Sequence, residues 1–171
     1  MRIVLTVLVA VTSFLTVPSP AHAGRAGADP VSDLRRIETL LYRTPITDFV
    51  ATVSRAEHWL DVSTDLCSAP LVGNTGRSFD FTAPCRRHDF GYRNLQLLDV
   101  RYSCALRPAG QVCPTPGRPG TYWNAVSRRR VDAQFLTDMR THCNTRSRWD
   151  RPTCLAWAQT FYAAVRVAGG P

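Results

Sequence analysis

The stretch Cys85-Arg86-Arg87-His88-Asp89-Phe90-Gly91-Tyr92 sets an imidazole and a carboxylate side by side, one turn after a cysteine. Successive residues on an α-helix point about 100° apart, so Asp89 cannot steer His88 and must face elsewhere. Two neighbouring polar groups with different outlooks suit two tasks: a base for a water, and a ligand for a cation. That is the outline of a metal-assisted hydrolase. A histidine acting as a base needs a further group to fix its tautomer and to stabilise the cation it becomes. Asp132 can supply it. With Phe135, Leu136 and Met139 it follows i, i+3, i+4, i+7 spacing, which sets a carboxylate in an apolar stripe where it needs a partner.

Asp89 needs company to hold a cation. The irregular run Ser63-Thr64-Asp65-Leu66-Cys67 precedes its helix, and calcium takes carboxylate and backbone carbonyl oxygens on such loops. A bond between Cys67 and Cys85, if formed, would draw Asp65 towards Asp89. By itself, Asp65 reads first as a turn-forming residue.

These residues must be carried by helices. Val31, Leu34, Ile37 and Leu41 predict a helix over 31–42; Thr44-Pro45 predicts a capped start for a second, running to about Trp59. Residues 61–84 lose periodicity and form a long loop. Pro84 opens a helix to about Arg101, with Cys85, His88, Tyr92 and Leu95 on successive turns. A Pro- and Gly-rich surface loop follows, then helices over 122–142 and 153–167. The connection between the His88 and Asp132 helices is long enough for an antiparallel return. No stretch alternates with period two, so the fold class expected is all-α.

At the N-terminus, Arg2 precedes an apolar run over 3–17, Pro18 and Pro20 break it, and Ala21-His22-Ala23 offers a cleavage site. Residues 1–23 are therefore expected to be a signal peptide, and 24–171 one secreted, extracellular domain. All 6 cysteines fall in that domain, and an even count in an exported chain reads as disulfides. The net charge of +8, carried by 21 arginines and no lysine, favours anionic surfaces such as phospholipid headgroups.

The strings Asp61-Val62-Ser63-Thr64-Asp65-Leu66-Cys67, His88-Asp89-Phe90-Gly91-Tyr92-Arg93-Asn94 and Val131-Asp132-Ala133-Gln134-Phe135 resemble the secreted prokaryotic and fungal phospholipase A2 family. The resemblance implies a small disulfide-bonded helical domain with two antiparallel catalytic helices and a calcium-binding loop. It implies that His88 activates water at the sn-2 ester, releasing a fatty acid and a lysophospholipid. Asp132 would orient His88, and Tyr92 would support that pair by hydrogen bonding. Ca2+ would be held by the Asp65 side chain, the Leu66 carbonyl and Asp89. The family pattern further pairs Cys67 with Cys85 and Cys143 with Cys154, leaving Cys104 and Cys113 to each other. The chain departs from the pattern over about 101–120, where an insert carrying Cys104 and Cys113 replaces a short turn.

Two rivals remain open to test: a non-catalytic, cationic lipid-binding or toxin-like protein on the same scaffold, and a secreted nuclease. The chain lacks an aromatic-interleaved basic strip for stacking bases, so no nucleic-acid partner is expected. The expected partner is a phospholipid membrane or micelle surface, approached by a monomer. Cys85 and His88 could be half of a zinc site, but the remaining cysteines do not form a short-spaced set. His58 and His142 read as surface or packing residues. Arg128-Arg129-Arg130 reads as a solvated helix face, and at least two of Trp59, Trp123, Trp149 and Trp157 as core.

Overall fold

The computed structural model describes residues 29–67, 79–103 and 118–168. The expected signal peptide, Cys104, Cys113 and most of the 101–120 insert lie outside them. Among the described residues the protein is all helical: α1 (Pro30–Glu38), α2 (Ile46–Val53), α3 (Thr82–Leu98), α4 (Ala125–Asn144) and α5 (Arg151–Ala168). Wide π turns, Thr39–Arg43 and Asp99–Ser103, extend α1 and α3. No described helix is long and apolar enough to cross a membrane.

Local chemistry sets the helix ends, and several differ from the periodicity. Asp29 caps α1, its carboxylate accepting the Ser32 N–H at 2.9 Å, with Pro30 at the first position. Thr44 does not cap α2. Its hydroxyl donates to the Thr39 carbonyl and closes the preceding π turn, leaving Pro45 as an uncapped N-cap. α2 also ends six residues before Trp59. Tighter bonds, Arg55 N to Thr52 O, Ala56 N to Val53 O and Leu60 N to Glu57 O, turn the chain so that Leu60 reaches the core. α3 opens at Thr82 rather than Pro84, because a proline in the first turn removes a donor the helix does not use there. α4 begins at Ala125 rather than Tyr122: the Gly120 N–H takes the Trp123 carbonyl at 2.6 Å, while buried Asp99 holds the N–H groups of Tyr122 and Trp123 in the turn before the helix. Asn124 and Ser127 then form a reciprocal capping box.

α3 and α4 run antiparallel: Arg87 pairs with Asp138, His88 with Asp132, and Tyr92 meets Arg128. α4 and α5 are antiparallel too, since Asp132 meets Arg166 while Cys143 bonds Cys154. Two apolar clusters flank α3. Ile37, Leu41, Phe49, Phe90, Trp123 and Val131 fill one; Phe81, Phe135, Met139, Ala158 and Phe161 fill the other. Trp59 packs against the first and Trp157 against the second, while Trp149 is exposed. Asp132 lies between Val131 of one cluster and Phe135 of the other, at the seam.

Gly91 makes the α3–α4 approach possible. A Cβ there would stand 2.8 Å from Val131 Cγ1 and 3.0 Å from Leu41 Cδ2, closer than atoms pack. Pro45 has no N–H to offer the Leu41 carbonyl, and the Arg87 guanidinium donates to that carbonyl at 3.0 Å instead. The expected disulfides Cys67–Cys85 and Cys143–Cys154 both form, with Cα atoms 5.4 and 5.5 Å apart.

Candidate active site

α3 presents His88 and, one turn later, Tyr92, to the Asp132 carboxylate of α4. His88 Nε2 lies 2.9 Å from Asp132 Oδ1, and the Tyr92 hydroxyl donates to the same oxygen at 2.8 Å. The imidazole is packed between the Tyr92 and Phe135 rings, with centroids 4.3 and 4.8 Å away. With Nε2 committed to an ionised Asp132, its hydrogen sits there and Nδ1 is left as the acceptor. That is the arrangement a general base requires.

Asp132 is fully buried, and burial alone would raise its pKa. Hydrogen bonds from His88, Arg166 and Tyr92 outweigh that cost and hold the carboxyl below its ordinary value. Tyr92 is pushed the other way, by burial first and by its bond to Asp132 second, so it remains a hydroxyl donor.

Two arginines complete the cage: Arg128, which the sequence places on a solvated face, and Arg166, which it does not mark. Arg166, on the last turns of α5, donates to Asp132 Oδ2 at 2.7 Å. Arg128 sits one turn before Asp132, with its Nε 3.7 Å from Oδ2 and 3.3 Å from the Tyr92 hydroxyl. Its Nη2 donates to the carbonyls of Val165 and Arg166. Of the expected solvated face, Arg129 is exposed and Arg130 pairs with Glu38, but Arg128 is turned inward. The i, i+4 spacing of Arg128 and Asp132 was a usable signal for one arginine. Nothing local marks Arg166.

The loop expected to carry a cation reaches the same place. Asn94 holds it by donating to the Asp61 carbonyl and accepting the Asp61 N–H. Thr64 links loop and helix: its hydroxyl donates to Asp89 Oδ2 at 2.5 Å and accepts the Leu66 N–H at 2.9 Å. Leu66 has φ 62°, a left-handed conformation a leucine adopts at a cost of about 1–3 kcal/mol. Burial raises the Asp89 pKa, the Thr64 bond opposes this, and the nearby Asp65 charge raises it further. Asp65 is itself exposed, with Oδ1 2.9 Å from the Arg93 guanidinium. Among the described residues no three His, Cys, Asp or Glu side chains gather around one point. The available set is two carboxylates and a carbonyl, all hard oxygen donors. A half-buried carboxylate strained by a like charge is an anion that a cation would relieve, so the set fits calcium.

His88, Asp89, Asp65 and Leu66 open onto one cavity of about 480 Å³. Its far wall is apolar: Phe135 from α4 and Phe161, Ala164, Val165 and Ala168 from α5. A polar floor carrying His88 beside an apolar wall can take an amphiphile whose polar and apolar parts meet at that boundary.

The prokaryotic phospholipase A2 family model matches residues 37–105 and 120–169, most of the chain. This chain belongs to that family. Among its relatives, a secretory phospholipase A2 of Beauveria bassiana is 29% identical over 143 residues, 83% of this chain and 60% of the relative. A secretory phospholipase A2 of Arthroderma benhamiae is 27% identical over 136 residues, 77% of this chain and 76% of the relative. The chain thus spans three-fifths of the first relative's length. The gap in the family match, 106–119, falls within the insert expected from sequence. His142, read as a surface or packing residue, packs edge to face against Phe81.

Proposed function

We propose that the chain is an exported, calcium-dependent phospholipase A2 that cleaves the sn-2 ester of glycerophospholipids. The observation that carries this reading is the His88–Asp132 pair, with Nδ1 left as acceptor on a cavity that is polar on one side and apolar on the other. His88 Nδ1 takes a proton from water as the water oxygen bonds to the ester carbonyl carbon. Asp132 stabilises the imidazolium, and the proton then passes to the departing glycerol oxygen. A free fatty acid and a lysophospholipid result. Asp65, Asp89 and the Leu66 carbonyl would hold calcium, which when bound supplies positive charge to polarise the ester carbonyl and attract the phosphate. Holding Asp65 there requires it to leave Arg93.

Export by removal of residues 1–23, action as a monomer at a lipid surface, and no role for nucleic acid belong to the same reading. The names of the fungal relatives support export. The test is fatty-acid release from phosphatidylcholine vesicles, with calcium and with excess chelator, beside the His88→Ala variant. Calcium-dependent sn-2 release lost in the variant supports the reading. No release across several headgroups, with disulfides intact, would favour the non-catalytic lipid-binding protein.

A further inference from the structure

Asp132 is fully buried, yet it accepts three hydrogen bonds from α3 and α5 and faces a further cation on its own helix. Two of these bonds, from His88 Nε2 and the Tyr92 hydroxyl, share Oδ1. A carboxylate turns easily about its terminal torsion, which is broad and sets the plane of its two oxygens only weakly. Two donors on one oxygen do not by themselves stop that rotation. The contact that does is on the other oxygen, where Arg166 Nη1 donates to Oδ2 at 2.7 Å. The remaining cation facing Asp132, Arg128, lies 3.7 Å from Oδ2 with its Nε.

Arg166 does not arrive there by helix geometry alone. α5 is described to Ala168, and among the described residues no N–H four residues on reaches the carbonyls of Val165 and Arg166. Arg128 supplies a donor to both, from its Nη2 at 3.0 and 2.8 Å. The last turn of α5 is thereby fastened to α4 within one turn of Asp132. The same turn gives Ala164 and Val165 to the cavity wall.

We propose that Arg166 is a positioning residue for the hydrolase chemistry, resting on the phospholipase reading. It locks the plane of the Asp132 carboxylate so that an oxygen lone pair stays aimed at His88, and Arg128 pins the last described turn of α5 that carries it. Arg166 acts through Asp132 and touches neither water nor ester. Its side chain is a third exposed, so losing it leaves no sealed void.

The test compares Arg166→Met, Arg166→Lys and, as a control on an exposed neighbour, Arg129→Met. Each is read for kcat and KM on mixed micelles, for binding to anionic vesicles, and for the low-field proton resonance of the His88 Nε2–H. Arg166→Met should lower kcat about 10–100-fold, the range for losing a partner that orients a catalytic group, with KM and vesicle binding unchanged. It should also shift or broaden the imidazole resonance. Arg166→Lys should recover much of kcat, because an ammonium still puts charge on Oδ2 but lacks the planar fork. Added guanidinium should partly restore Arg166→Met.

An unchanged kcat with an unmoved resonance overturns the proposal. So does a loss of activity that tracks vesicle binding, which would make Arg166 a headgroup contact. If the unmodified protein fails to turn over lipid, the imidazole resonance still decides: a shift in Arg166→Met upholds the positioning role, and an unmoved resonance rejects it. If Arg166→Met does not fold, Arg166→Gln carries the same readouts, and a kcat and resonance like the unmodified protein's overturn the proposal.

Discussion

Replacing Asp132 by asparagine tests the catalytic geometry most directly. The carboxylate accepts from His88 at 2.9 Å, Tyr92 at 2.8 Å and Arg166 at 2.7 Å. An amide has one accepting end, so it can serve Oδ1 or Oδ2 but not both. If its oxygen stays with Arg166, the NH2 faces His88 Nε2, the imidazole takes the other tautomer, and Nδ1 carries a hydrogen instead of a lone pair. If its oxygen serves His88, Arg166 loses its acceptor. In either case the negative charge beside the forming imidazolium is gone. With charge centres about 4 Å apart and an effective dielectric constant of about 20, that attraction is about 4 kcal/mol. It corresponds to about 10³-fold in rate, and the tautomer cost adds to it, towards the about 10⁴-fold loss known for the same change in a Ser-His-Asp triad. The assay is pH-stat fatty-acid release at saturating lipid, with thermal unfolding measured in parallel to separate catalysis from folding. A folded Asp132→Asn enzyme within tenfold of the parent would refute the role given to Asp132.

Calcium at 100 times its Kd should stabilise the fold by about 2.7 kcal/mol, read as a rise in Tm. Asp89→Asn should remove that rise; an equal rise in the variant would move the ion elsewhere. Burial pushes the Asp138 carboxyl up to about 6, against 3.8 when unfolded, despite Arg87 beside it. A folded pKa above the unfolded one means the native state binds the extra proton, so this group's contribution weakens as pH rises from about 4 to about 6 and is level beyond. The stability of the parent minus that of Asp138→Asn, from urea melts, should therefore fall across that window, whatever its offset at pH 7; a flat difference would count against a raised carboxyl. Gly91→Ala gains about 1 kcal/mol of helix propensity but drives a Cβ into Val131, and overpacking of this kind costs about 1–3 kcal/mol. The net should be a loss in denaturant melts, relieved by adding Val131→Ala; no loss, or no relief, would mean that α3 and α4 are not so tightly apposed.

The bond between Asp61 and Asn94 illustrates what tertiary structure adds to local signals. Both residues stand in strings that drew attention from sequence, but 33 residues separate them, and neither spacing nor propensity says that one holds the other. The same is true of Thr64, whose hydroxyl ties the loop to Asp89. Helix α4 is expected from Tyr122 but starts at Ala125, because the Gly120 N–H takes the Trp123 carbonyl and the distant Asp99 carboxylate holds the Tyr122 and Trp123 N–H groups in a turn.

The amino-acid sequence by itself determined the helical class, the different directions in which His88 and Asp89 point and the need of Asp132 for a partner. Each follows from short-range rules: the 100° step between neighbours, the i, i+4 repeat, and the cost of burying a charge alone. Only the tertiary structure decided how that charge is balanced. Arg166 lies 34 residues beyond Asp132 on a helix whose own pattern says no more than amphipathic, and Arg128 looks like one of three arginines on a wet face. Both turn inward because antiparallel packing of α4 and α5 brings the ends of α5 carbonyls and a buried carboxylate to one point, and a convergence of that kind is a property of the packed chain, not of any window along it.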